Sequence, residues 1–338
     1  MESSWRQPHA VRASRPTDSL RAFGSCIALA FALAASHAQA DEGGASVYVP
    51  GFFGSLAAVP AAPGWSLGAF YYHASADASA SREFQLGGGI VAGLDARADL
   101  AFFAPTYTFA QPVLGGQAAV GLVGGFGHMR VSANATITGP LEQRQFGKGR
   151  TDSVTGAADL FPMGTLKWNR GVHNFLTYAM VGIPVGAYDA NRLANISTNH
   201  VAIDAGGGYT YFDTTKGREF SAVGGFTYNF ENPDTDYRNG VDAHVDWAAS
   251  QFFSEQLHAG LVGYFYQQLT GDSGPATVRL GSFKSRTNGI GPQVGYFFPV
   301  GTGKGYVNLK GYWEFDADHR VEGWNVWLTL GLPLSAAR

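Results

Sequence analysis

The sequence predicts an all-β chain that closes as a transmembrane, antiparallel up-and-down barrel of about twelve strands, within a range of 12–14. Three observations lead there: the composition, the length and alternation of the apolar pattern, and an export signal. Of the 338 residues, 45% are apolar and only 14% charged, against roughly 25% charged in ordinary soluble domains. Glycine occurs 46 times and aromatics make up 14%, a mixture that disfavours helices and suits strands. The formal net charge is −3, with no basic run outside the N-terminus, which argues against nucleic acid as a partner.

The N-terminus reads as a secretory signal peptide over residues 1–40. Arg12, Arg15 and Arg21 precede an apolar run from Ala22 to Ala35, and the triplet Ala38-Gln39-Ala40 supplies small residues for cleavage after Ala40. The run is shorter than the roughly 20 residues a membrane helix needs. Cys26, the single cysteine, lies inside it, upstream of the expected cut. Export, the absence of any later helical span, and strand-length alternation together predict an outer-membrane barrel.

Residues 41–64 form a lead-in rich in Pro, Gly and Ala, without period, that could act as a plug; the barrel is expected over 65–338. From Trp65 onward, runs of alternation are separated by turn formers. The candidate strands are 65–75, 82–93, 97–109, 116–128, 131–138, 157–168, 173–185, 200–211, 218–230, 239–251, 257–269, 285–298, 305–315 and 323–332, with 82–93 and 131–138 the weakest. Most reach ten residues or more, long for a soluble sandwich and suited to a tilted span. Polar segments at 133–154, 188–200 and 269–286 are the expected long loops, with 133–154 the leading candidate to fold inward and restrict the lumen.

Alternation assigns the two faces. Val241, Val245 and Trp247, Val307, Leu309 and Trp313, and Val326, Leu328 and Leu330 are expected to meet lipid. Asp242, His244 and Asp246, with Asn308, Lys310, Tyr312 and Glu314, are expected to line a polar lumen. On that reading Val245→Arg is costly and His244→Arg mild. Lys310 and Glu314 could pair and hold the lumen closed.

Asp242, His244 and Asp246 also have the residue types of a metal or proton site, which His128 or His258 could join. One strand cannot close a tetrahedron, so a lumen wall is the simpler reading and no metal or cofactor is implied. Ser250 and Ser254 stand near His244 and His258 in sequence, but no G-x-S-x-G elbow accompanies them, and no catalytic residue is assigned. The glycine runs at 87–93, 121–127 and 206–208 lack the Lys-Ser/Thr of a phosphate loop.

The stretches ENPDTDYRNGVDAHVDW, LHAGLVGYFYQQLTGDSG, YVPGFFGSLAAVPAAPGW, DLFPMGTLKWN, VGIPVGAYDANRLANIS and SRTNGIGPQVGYFFP together span nearly all of the chain beyond residue 40. In combination they resemble the family named for the MetA pathway of phenol degradation, outer-membrane proteins of Gram-negative bacteria. The resemblance implies a barrel and the uptake of hydrophobic compounds, with aromatic ones as candidates. One departure is the C-terminus, LPLSAAR, which lacks the usual terminal aromatic of barrels and leaves Trp327–Leu332 as the nearest assembly signal.

The function expected is therefore passage of small hydrophobic molecules through the barrel, not an enzymatic reaction. A non-conducting structural or adhesive barrel is one alternative, and a barrel-embedded lipid hydrolase a second. The partners expected are the lipid bilayer, small hydrophobic solutes and, during biogenesis, the barrel-assembly machinery.

Overall fold

The structure is a computed structural model and describes residues 46–86, 89–137, 149–275 and 284–334. By packing the chain divides into Met1–His37 and Ala38–Arg338, and the second unit is described here. The expected signal peptide lies outside the described residues.

Thirteen strand segments follow one another: β1 (Gly64–Leu86), β2 (Gly89–Thr108), β3 (Gln117–Ile137), β4 (Arg150–Ala157), β5 (Phe161–Arg170), β6 (His173–Gly182), β7 (Ala202–Asp213), β8 (Arg218–Asn229), β9 (Val241–Phe252), β10 (Leu257–Gln268), β11 (Arg286–Val300), β12 (Gly303–Asp318) and β13 (Glu322–Pro333). Each pairs antiparallel with its sequence neighbour, except that β4 and β5 both pair with β3. β4 opposes Phe126–Ala133 and β5 opposes Gln117–Val123, so the two act as one stave broken at 158–160. The first and last strands join from Ser66↔Pro333 to Asp77↔Glu322. The result is a closed antiparallel barrel of 12 staves, as the alternation predicted.

Closure is what such long strands require, because every interior edge finds a partner. The outer face is apolar. Phe103, Leu122, Phe126, Val245, Leu261, Phe265, Leu309 and Trp313 are exposed there, a continuous band that only lipid suits.

Some expected strands fall elsewhere. The stretch 82–93 spans the end of β1 and the start of β2, two long arms of one hairpin. The stretch 131–138 extends β3. β4 was not expected; it overlaps the end of the polar segment 133–154, where RTDSVTGA has few apolar residues to mark a strand. The proposed constricting loop is therefore partly barrel wall, and residues 138–148 lie outside the described residues.

Candidate functional site

The barrel interior is occupied by the chain's own lead-in. Tyr48 is 1% exposed and Ala58 fully buried, and the segment between them is held by the walls of β7 to β12. Asp246, on the inward face of β9, accepts from Tyr48 Oη at 2.6 Å and from the backbone N–H groups of Gly51 and Phe53 at 2.9 Å each. From β12, three staves away, Lys310 Nζ donates to the carbonyl of Gly51 at 2.6 Å, with those of Phe53 and Phe52 at 3.3 and 3.4 Å. A carboxylate thus takes the donors of a tight turn and an ammonium its acceptors. Buried backbone groups need such partners, and charged ones make the stronger bonds.

The turn depends on its sequence, GFFGS. Gly51 has φ +85° and lies against Tyr312, whose ring would stand 3.0 Å from an added Cβ. An L side chain there would meet both backbone strain and the ring. Phe52 packs beside the interior cluster of Ala248, Val262, Tyr264, Tyr312 and Trp327, and Phe53 beside that of Leu176, Tyr178 and Val223. Further along, Ser55 Oγ donates to Glu219 Oε2 at 2.9 Å, Leu56 N to Glu219 Oε1 at 3.0 Å, and Ala58 N to Thr210 Oγ1 at 3.1 Å.

A second network adjoins the turn. The His244 ring stacks on Tyr48 with centroids 3.4 Å apart, and its Nε2 lies 2.9 Å from Asp204 Oδ2. Thr227 Oγ1 donates to the same oxygen at 2.6 Å. The arrangement needs Gly225, since a Cβ there would stand 2.2 Å from Tyr178 Oη and 2.9 Å from His244.

The expected inward residues are placed as follows. Asp242, His244, Asp246, Asn308, Lys310 and Tyr312 are each at most 4% exposed. Asp242 accepts from Asn229 Nδ2 at 2.8 Å, and Asn308 Nδ2 donates to the carbonyl of Val294 at 3.1 Å. Glu314 accepts from Tyr264 Oη at 2.6 Å and from Gly323 N at 3.1 Å. It is not joined to Lys310, which serves the lead-in instead. Nor is the lumen at this level an open polar passage: Phe52 and Phe53 fill it, and tyrosines on the walls match them. His258 stands apart near the β9–β10 turn, with Nε2 3.0 Å from Tyr306 Oη, and His128 Nδ1 lies 2.8 Å from Thr155 Oγ1 on an exposed stretch. Ser250 Oγ lies 2.9 Å from Ser55 Oγ, and Ser254 Oγ accepts from Gln256 N and Leu257 N within a turn.

On the outer surface, Val245 is 40% exposed, Leu309 46%, Trp313 62% and Leu328 43%. Val241, Trp247, Val307, Val326 and Leu330 are half-buried at alternate positions with the inward side chains.

The lead-in divides the remaining space in two. A cavity of about 880 Å³ lies at the end with short turns, bordered by Phe53, Leu56, Trp65, Phe70 and Lys167. A second, of about 250 Å³, lies toward the longer connections, between Tyr48, Tyr72 and the segment 188–200. That segment is the described loop that folds inward. Its Leu193 and Ala194 are buried with Leu94, Val131 and Val154. It also backs β4, where Ala187 N donates to the carbonyl of Ala157 at 2.9 Å and Leu193 N to Asp152 Oδ2 at 3.2 Å. β6 reaches no further than the Leu160–Ile183 bridge, so loop contacts replace the strand ladder beside β4.

A closed barrel with a lipid-suited exterior and an internally seated N-terminal segment defines the class: the fold is that of outer-membrane channels. The solved COG4313 outer membrane channel from Pseudomonas putida F1 superposes with a TM-score of 0.63 at 14% identity, covering 84% of this chain and 99% of that one. A Pseudomonas aeruginosa FadL homologue superposes with a TM-score of 0.42 at 8% identity, covering 80% of this chain and 90% of that one. No curated protein matches the sequence. Residues 79–330 match the family described as "Putative MetA-pathway of phenol degradation", and the chain belongs to that family.

Proposed function

We propose that the barrel passes small hydrophobic molecules, aromatic ones included, across the outer membrane of a Gram-negative bacterium, with the lead-in as an internal plug. The observation that carries this reading is the seating of residues 48–58 between two cavities, held at Asp246, Lys310 and Glu219. A purely structural wall has no need of a lead-in that leaves space on both sides. The inner surfaces suit uncharged cargo, since Phe52, Phe53, Tyr72 and Trp327 provide apolar contact while Asp246, Lys310 and Glu219 are engaged by the lead-in.

The test is flux of a neutral aromatic solute into liposomes holding the refolded barrel. Entry above that of protein-free vesicles, accelerated when the lead-in is unlatched, is the expected result. Equal entry with and without the barrel, in both forms, returns the protein to the structural alternative.

A second exit is favoured by the interrupted ladder beside β4. A solute in the smaller cavity is separated from the membrane there by the 184–200 loop rather than by a paired strand. Release sideways would carry solute without carrying ions, and low conductance with measurable flux would mark it.

A further inference from the structure

The outer face of the barrel changes character on one side. β1, β2 and β3 run 23, 20 and 21 residues, against the roughly 9–11 that a tilted span requires. Their outward side chains, with those of β4, fall into cross-strand tiers set by the register. Tyr71, Ala101, Phe126 and Ala157 share the last apolar tier, with Tyr71 43% and Phe126 57% exposed. The next tier, toward the longer connections, holds His73, Asp99, His128 and Thr155. Beyond it stand Ser75, Arg97, Arg130 and Ser153. The alternate residues Leu94, Ala98, Val131 and Val154 are buried on the inside, so the arginine tier faces outward. Four residues separate it from the Tyr71 tier, about 13 Å along a strand and roughly 10 Å along the membrane normal at the usual tilt. The headgroup layer adds about 5–8 Å to each side of the hydrocarbon core, so the arginines reach it. Longer connections lie outside the cell in such barrels, which makes this the outer leaflet. β9 has no comparable tiers, for its outward row stays apolar from Trp247 to Val241, where the strand begins.

Arg97 and Arg130 are direct register partners. Like charges set opposite each other across two strands are unfavourable unless an anion lies between them. Arg97 Nε has a long contact, 3.8 Å, with Asp95 Oδ1, and both side chains are more than half exposed. The Arg130 guanidinium makes no ion pair among the described residues. On the membrane side, Asp99 is already engaged by Tyr71 Oη and His73 Nδ1. On the solvent side, Asp77 faces Asp95, with Glu322 beside it. That acidic tier repels a free anion arriving from solution, whereas a phosphate held at the membrane surface meets the arginines from the lipid side.

We infer that this tier docks the phosphorylated sugar headgroup of an outer-leaflet glycolipid, with Arg97 and Arg130 on one phosphate and Ser75 and Ser153 completing the row. Guanidinium forks match phosphate oxygens in pairs, and the two hydroxyls add donors. The inference rests on the outer-membrane placement and not on passage through the lumen.

Native mass spectrometry of the folded barrel in detergent tests it with three lipids: bis-phosphorylated lipid A, the same glycolipid stripped of both phosphates, and phosphatidylglycerol. Lipid A should bind at least about tenfold tighter than either of the others, as charge-assisted bonds to a phosphate allow. Arg97→Gln combined with Arg130→Gln should erase that preference. Arg170→Gln combined with Arg218→Gln removes the same charge at the end with short turns and should keep it. Folding of each variant is checked by heat-modifiable mobility in gels. Equal binding of the phosphate-free glycolipid overturns the phosphate contact, and equal binding of phosphatidylglycerol overturns the glycolipid. A preference that survives loss of Arg97 and Arg130, or falls as far with Arg170 and Arg218, overturns the site. Flux of a neutral aromatic solute is read separately, in phosphatidylcholine liposomes. Flux without a lipid A preference sinks this inference alone, whereas the preference without flux sinks the channel reading and leaves the docking tier standing.

Discussion

Lys310 Nζ and the carbonyl oxygen of Gly51 lie 2.6 Å apart although 259 positions separate them in the chain. The penultimate long strand of the barrel therefore grips the segment that precedes the first strand. Asp246 grips the same turn from another wall, so its donors and acceptors are both neutralised. Lys310→Met should weaken that seat by roughly 1.5–3 kcal/mol per charge-assisted bond lost. In planar bilayers the variant should open more often than the parent, and so should Asp246→Asn. Unchanged traces in both would dissociate the latch from conduction.

Gly51→Ala offers a subtler route to the same end. The left-handed φ costs an L residue about 1–2 kcal/mol, and the Tyr312 ring adds a steric conflict. The lead-in should become accessible to added protease while the barrel keeps its heat-modifiable mobility. Protection equal to the parent's would show that the turn adapts without leaving its seat.

Val245→Arg tests the outer face. The side chain is 40% exposed on β9, and a charge at mid-membrane depth costs about 2 to 4 kcal/mol. Denaturant unfolding from lipid vesicles would read that loss. His244→Arg differs in kind, because Tyr48 lies stacked on the ring. Its replacement must move the lead-in, so the mild effect expected from a solvated wall gives way to increased protease access. Normal stability of the Val245 variant would place that position away from lipid.

Acid should loosen the segment 188–200. The backbone N–H of Asn191 donates to Asp189 Oδ1 at 2.9 Å and, with the Asn191 side chain and Arg192 nearby, holds this carboxyl below its ordinary value. A depressed carboxylate stabilises the fold above its unfolded pKa of about 3.9, and that contribution disappears as pH falls through the folded value. Hydrogen exchange of the 188–200 amides, compared between neutral pH and pH below about 4, should rise relative to Asp189→Asn. A parallel response in both proteins would remove Asp189 as the cause.

The alternation of VDAHVDWAAS was enough to separate Val245 from His244, because a strand places successive side chains on opposite faces. It could not reveal the partner of His244. Asp204 reaches it because β7 and β9 flank β8 in a register that sets Asp204 beside Thr227 and Thr227 beside Asp242. Register across three strands has no local signature. The lead-in was legible as a segment without period that could act as a plug, but not in its contacts. Its contacts with Asp246 and Lys310 are fixed by closure of the ring, so GFFGS reads locally as a loop. β4 escaped notice for a third reason: its pairing with β3 continues past the break at 158–160, where the polar residues of RTDSVTGA resemble a connection.

The seam between β1 and β13 also orders events in time. Both of its strands come from opposite ends of the barrel sequence, so the ring can shut only after the last stave has been synthesised and delivered. The lead-in runs directly into β1 and ends up enclosed by β7 to β12. It can be drawn inside before that final zippering, while the sheet is still an open trough, or enter afterwards by the mouth at which β1 begins. An assembly intermediate stalled at the trough would bear two unpaired edges and an unseated N-terminal segment, and would be the form most exposed to periplasmic proteases and to joining with a neighbouring sheet.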